Sequence, residues 1–332
     1  MRAVCASVVV VVCGSSGVLA QGMPPDYGLT WRTVGDPGNP AAQPADYYWL
    51  QVFGGHPVGQ VNYTYRLTQT EVTNTQWIEF VDAYAHVNPS VINDPSFYGR
   101  DVYRASDDPA HYGWFTAPGA ENAAAQMGWL YAARFCNWLS NGKVDQLWAF
   151  ETGAYDMSTF ERLPDGTWAG QTAHSPTATF WIPSWDEWDK GMHWDPNKFG
   201  PGQGGYWLYP TSSDQAPVGG LPGTPGAQTS AGRYPGVPWY VPVGSYPTVQ
   251  SPWGLLDGSG GAMEYLEGWD GLVRTRGTDV GAPSYTPDRL DYLITTGPDE
   301  TIGGLRLASS VPSPGTSVLL LASLVVSRRR RR

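Results

Sequence analysis

Only three stretches of this chain carry a hydrophobic period that reads clearly as helix. Short strands and turns, rich in glycine and proline, fill the rest. The first stretch is "TNTQWIEFVDAYAHV". Thr73 caps it, Gln76 completes a capping box, and Trp77, Phe80, Val81 and Tyr84 fall on one face. The second is "MGWLYAARFCNWLSNG". It puts Trp129, Ala132, Ala133 and Cys136 on one stripe and stops at Asn141-Gly142. The third is "PSWDEWDKGMHW". Ser184 caps, Glu187 answers three residues on, and Trp185, Trp188 and Met192 make the inner face. "YTYRLTQTEV" alternates as a strand leading into the first helix. The stretch 217–232, "PVGGLPGTPGAQTSAG", holds no regular element and reads as an exposed loop. No repeat of fixed period and no heptads occur.

The two ends read as processing segments. Residues 1–20 have Arg2, an apolar run and small residues at Val18 and Ala20, the layout of a secretory signal. Its removal takes away Cys5 and Cys13 and leaves Cys136 alone, so the expected mature chain forms no internal disulfide. Residues 311–332 hold a Val-Pro-x-Pro turn, a short apolar run and five arginines. The run is short for a permanent span, which needs about 20 residues. The arginines would hold the end on the cytoplasmic side. The chain carries 20 basic and 30 acidic residues, a net charge of −10. Without the expected lost segments, 14 basic residues face 30 acidic ones, a net of −16. Such a domain repels phosphate backbones, which excludes nucleic acid as the expected partner.

The order of the segments resembles a known family. "YRLTQTEVTNTQWIEFVDA", "MGWLYAARFCNWLS", "FWIPSWDEWDKGMHW", "GYWLYPTSSDQAP", "VPVGSYPTVQSPWGLLDGSGGAMEYLEGW", "VRTRGTDV" and "TIGGLRLAS" follow one another from about Asp46 to Ala308. In that order they are similar to the motifs of the formylglycine-generating-enzyme, or sulfatase-modifying-factor, domain. The resemblance implies an α+β fold, a variant of the C-type-lectin-like fold, in one domain over 27–309. Short antiparallel sheets, a few helices and much loop are then expected, with Trp77, Trp129, Trp138 and Trp188 as core anchors. The tail is similar to PEP-CTERM sorting signals, with Ser313 where glutamate is usual. That likeness implies exosortase-type sorting machinery as a partner, transient membrane association, and export to the envelope, surface or beyond.

The family's oxidase uses two cysteines between the motifs matched here by "VRTRGTDV" and "TIGGLRLAS", and the interval 277–303 contains none. Soft thiolates suit copper and disulfide exchange, and nothing in that interval replaces them. Formylglycine generation is therefore not expected. Cys136 reads as a small buried hydrophobe. The five histidines, His56, His86, His111, His174 and His193, show no i, i+4 pair and no zinc pattern. Asp186, Glu187 and Asp189 fall in the first turns of a helix, where carboxylates oppose the dipole, a stronger reading than catalytic acids. The resemblance implies calcium at the segment around Glu264, with Asp257 and Asp270 nearby, at a site weakened because the family's asparagine is Gly261 here.

The expectation is thus an exported, non-catalytic binding or structural module of the cell envelope or extracellular space. Its aromatic residues outside the core motifs, Trp207, Tyr209, Trp239 and Tyr240, are the candidates for stacking on sugar rings or peptide side chains. A glycan is the first ligand class and an envelope protein the second. The competing class is a metal-dependent oxidoreductase of the same family with unrecognised ligands. Stoichiometric copper or iron after purification would favour it.

Overall fold

A computed structural model describes residues 22–48, 55–164, 168–171, 173–232, 240–267, 273–292, 294–296 and 303–311. Pro24–Val311 form one compact unit. The signal-like segment 1–20, the tail beyond 311, Trp239 and Asp270 lie outside the described residues. Among the described residues no helix is long and apolar enough to cross a membrane.

The three periodic stretches form helices α1 (Asn74–Val87), α2 (Trp129–Ser140) and α3 (Trp185–His193). Each begins and ends for a local reason. The side chain of Thr73 accepts from Gln76 N–H at 3.3 Å, while Gln76 Oε1 accepts from Thr73 N–H at 2.9 Å. Ser184 and Glu187 repeat this exchange at the start of α3. No side chain caps α2, which begins after Gly128. It ends where Gly142 and Lys143 turn left-handed, at φ 74° and 58°, and Lys143 N–H returns to Trp138 C=O at 2.9 Å.

Two small ribbons pair Glu161–Arg162 with Trp168–Ala169 and Trp194–Asp195 with Gly205–Tyr206. The remaining described strands make up two larger sheets and a third ribbon. They are β1 (Trp31–Val34), β2 (Tyr65–Thr68), β3 (Val102–Arg104), β4 (Trp114–Thr116), β5 (Gln126–Met127) and β6 (Phe180–Trp181). Later in the chain come β7 (Glu264–Leu266), β8 (Val273–Arg276), β9 (Ile294–Thr296), β10 (Gly303–Gly304) and β11 (Ala308–Ser310). One sheet runs β1-β2-β11-β6, antiparallel throughout. The other runs β9-β8-β7-β10-β5, with one parallel pair, Glu264 opposite Gly304. Strands β3 and β4 pair only with each other. The fold is α+β with few helices, short sheets and much loop. Among the described strands, β7 with β10 is the one parallel pair.

The core is aromatic. Trp77 meets Phe80 at 4.6 Å and Phe135 at 5.5 Å between ring centroids, joining α1 to α2. Trp77, Trp129, Trp138 and Trp188 are all buried. Each buried large ring removes about 150–250 Å² from water, an upper estimate of about 4–6 kcal/mol at 25 cal/mol per Å².

The β3–β4 ribbon stands on a rigid root. Asp94 caps the short helix Pro95–Tyr98 through Ser96 N–H at 2.9 Å and accepts from Tyr131 O–H at 2.8 Å. Gly99 follows at φ 87°, where an added Cβ would lie 2.4 Å from Gln126 C=O. Only glycine lets the chain turn there and pass so close to β5.

Candidate functional site

Cys136 is free, fully buried, and its thiol is pushed well up by burial, with the charge of Glu267 adding to it. A thiol in that state is not a nucleophile. Above it lies a polar chain. Tyr155 O–H and the backbone N–H of His174 both donate to Glu267 Oε1, the latter at 2.7 Å. His174 Nδ1 also lies 3.0 Å from Glu267 Oε2, and its ring stacks on Trp181 at 4.5 Å. Burial lowers the imidazole's affinity for a proton, but the bond to Glu267 and its charge outweigh that and raise it. Glu267 sits four-hundredths exposed and satisfied by these donors.

The carboxylates of "WDEWD" face three different partners. Asp186 accepts from Gly59 N–H at 2.7 Å. Glu187 accepts from Trp181, Tyr63 and Ser184. Asp189 meets Arg276 at 2.7 Å, both fully buried. No two of them share a partner in these bonds, so they do not form an acid–base pair.

Around Glu264 the fold supplies a cation of its own. Arg306 reaches Glu264 through Nη2 at 2.6 Å and Nε at 2.9 Å, and Trp188 Nε1–H donates to Glu264 at 2.7 Å. Arg306 also donates to Thr68 C=O and Leu256 C=O at 2.7 and 2.8 Å. Glu71 stands at the edge of the same cluster, its buried Oε2 4.0 Å from Arg306 and without a hydrogen bond. Burial, then the charges of Asp257 and Glu264, push its carboxyl well up. Asp257 takes the N–H of Gly244 and is pushed up to about 6, mainly by burial.

Calcium needs six to eight oxygens, yet both oxygens of Glu264 are spent on a guanidinium. The fit to calcium at Glu264 and Asp257 is poor, and Asp270 lies outside the described residues. Among the described residues no group of three or more His, Cys, Asp or Glu is placed to hold a metal ion. Gly261 has a physical reason to be glycine. At φ 70°, a Cβ there would sit 2.2 Å from Glu71 Oε1.

The described candidates Trp207, Tyr209 and Tyr240 have different surroundings. Tyr209 is buried, and Trp207 lies half-buried under Lys198 Nζ at 4.4 Å, with its indole N–H on Asp195 at 3.2 Å. Tyr240 is elsewhere, bonded to Asp101 at the foot of the β3–β4 ribbon, and the charge of Asp101 raises its phenol. That location exposes what the sequence reading missed. Tyr103 and Phe115 are opposite each other on β3 and β4, 46% and 48% exposed, with ring centroids 5.8 Å apart. On the other face Arg104 pairs across with Trp114, and the guanidinium lies 5.8 Å over the indole. A cavity of about 180 Å³ opens beside them, lined by Ile92, Asn93, Tyr98, Arg104 and Trp114 among others. The alternation "VYR" and "WFT" around the turn residues Asp107-Asp108-Pro109 was the available signal for this ribbon.

No family model matches the chain, and no curated protein matches it. Among solved structures it is similar to CarF, at 17% identity and a TM-score of 0.44 over 86% of this chain and 99% of that one. Treponema denticola variable protein 1 aligns at 14% identity and 0.45, covering 84% of this chain and 94% of that one. PvdO from Pseudomonas aeruginosa aligns at 15% and 0.46, covering 85% and 94%. These TM-scores lie below 0.5, and no residue role is carried across from them.

Proposed function

We propose that this chain is a non-catalytic binding module of the cell envelope or extracellular space, and that its first ligand class is a glycan. The observation that carries the reading is the pair Tyr103 and Phe115, large rings left nearly half exposed on a ribbon with a rigid root. An exposed ring held on paired strands offers a flat apolar face at little entropy cost, which suits stacking on a sugar. Tyr240 and Asp101 at the ribbon's foot add polar groups of the kind that fix a sugar's hydroxyls. The buried thiol of Cys136 and the dispersed carboxylates of α3 support a role other than catalysis. Export by the first twenty residues and sorting through the tail belong to the same proposal.

The test is a glycan array probed with the full chain and with the double variant Tyr103→Ser/Phe115→Ser. Retention of a glycan set by the native chain and its loss in the variant are expected. Binding that the variant keeps would move recognition away from the ribbon, and silence of both proteins would remove the glycan reading. Stoichiometric copper or iron in the purified chain would favour the oxidoreductase reading instead.

A further inference from the structure

The cavity beside the ribbon has one charged side chain, Arg104, and its other polar side chains are Asn93 and the hydroxyls of Tyr98 and Tyr103. Trp114 lines it with its ring, and its Nε1–H is buried. Arg104 Nη1 donates to Ile92 C=O at 2.8 Å, and Nη2 donates to Asn93 Oδ1 at 3.2 Å. Those bonds turn one lone pair of each oxygen toward Arg104 and hold the guanidinium at the rim. No carboxylate lines the cavity. The carboxylate nearest to hand is that of Asp107, which rests on Arg104 Nη2 from outside. The side chain of Asp107 is 87% exposed, against 17% for Arg104. An ion pair with one partner so exposed is worth little and yields easily to a better-placed anion. The remaining wall is apolar, with Tyr98 and Trp114 6.0 Å apart and tilted 32°.

We infer that this cavity takes one carboxylated sugar ring, a uronate residue of an acidic polysaccharide. The ring would lie on Tyr98 and Trp114, and its carboxylate would displace Asp107 from Arg104. About 180 Å³ accommodates a single ring rather than a chain, so neighbouring sugars continue outward along the ribbon. The chain's net charge of −10 opposes an anionic ligand at long range. At physiological ionic strength that field decays within about 8 Å, so the direct guanidinium contact dominates once the ring is seated. The inference rests on the glycan reading above and narrows it.

Calorimetry on the full chain tests it with three probes: a glucuronate-containing oligosaccharide, its methyl ester, and the glucose counterpart. The acid should bind roughly tenfold or more tighter than the ester, because only the acid offers a charge-assisted pair. Asp107→Asn, an exposed change without structural cost, should tighten the acid severalfold and leave the ester unchanged. Arg104→Gln should erase the difference between acid and ester. Equal affinity for all three probes would overturn the uronate assignment while the glycan reading stands. Absence of binding by any of them, together with a silent glycan array, would overturn both. A native preference for the acid that survives Arg104→Gln would place the carboxylate elsewhere and overturn the assignment too.

Discussion

Two regions of the molecule are built from similar residues and differ in how their polar groups are satisfied. At the Arg306 cluster, a guanidinium, three carboxylates and an indole N–H lie in the interior, and Arg306 answers Glu264 with two bonds. At the ribbon cavity, a guanidinium, an amide and aromatic rings border open space, no described carboxylate lines it, and the exposed Asp107 rests on the guanidinium. The first region looks more like an active site in sequence, because it contains the recognisable motifs. The second sets a cation and exposed rings beside open space. Charge and aromatic content do not distinguish scaffold from site. Satisfaction and access do.

That contrast can be broken most directly at Arg306. Arg306→Met leaves Glu264 buried without its partner, and urea unfolding should register a loss of about 3–5 kcal/mol. A loss below about 1 kcal/mol would mean that the cluster is not the scaffold described.

The next effect is in pH. Asp288, fully buried and bonded by Ser259 at 2.6 Å, is pushed up to about 7 by burial, and Asp257 to about 6. A carboxyl whose folded value is raised holds its proton longer than in the unfolded chain. Its contribution is therefore full below the unfolded value of about 3.9 and is lost as pH rises through the folded value. Tm should fall between about pH 4 and 7, and Asp288→Asn should flatten that slope. A Tm that climbs over the same interval in both proteins would contradict the assignment.

Smaller still is Gly261→Asn. Asparagine tolerates a left-handed φ, but its Cβ meets Glu71, and overpacking of roughly 1–3 kcal/mol should follow in a denaturation curve. A neutral or calcium-stabilised variant would show that Glu71 moves aside. On the ribbon, Tyr103→Ser and Phe115→Ser should each change stability by no more than about 0.5 kcal/mol, measured the same way. A larger change would make these rings part of the core and end their distinction from it. Exchange of calcium for a chelator should leave Tm unmoved, because Arg306 occupies Glu264. A clear upward shift with calcium would reopen that position.

Local signals carried far in this sequence. The capping boxes at Thr73 and Ser184 and the stripes through Trp77, Trp129 and Trp188 lie within one helix each, and the structure realises them. What failed to read through was contact across long separations. Glu71 reaches Ala262 N–H across 191 residues, and no local pattern announces that meeting. Glu264 looked like a ligand because the guanidinium that claims it comes from 42 residues later. Tyr240 was singled out from aromatic excess and does lie beside exposed rings, whereas Trp207 and Tyr209, picked for the same reason, are spent under Lys198 and in the interior. Composition counts rings but does not say which face of the fold they end on. Tyr103 and Phe115 went unseen because three-residue strands give too few alternations to stand out.

The position of β11 bears on how the chain acquires its structure. This strand is contributed by residues 308–310, yet it lies between β2 and β6, pairing with residues some 243 positions earlier. Until it arrives, β2 and β6 have no partner between them, and the sheet has a gap at its centre. Synthesis therefore has to pass residue 310 before the sheet can close. Contacts of such separation are slow to form, because loop closure is costly before they contribute anything. A ribosome-bound chain short of residue 308 should remain protease-sensitive, and the cooperative fold should appear only once the final strand is free to insert.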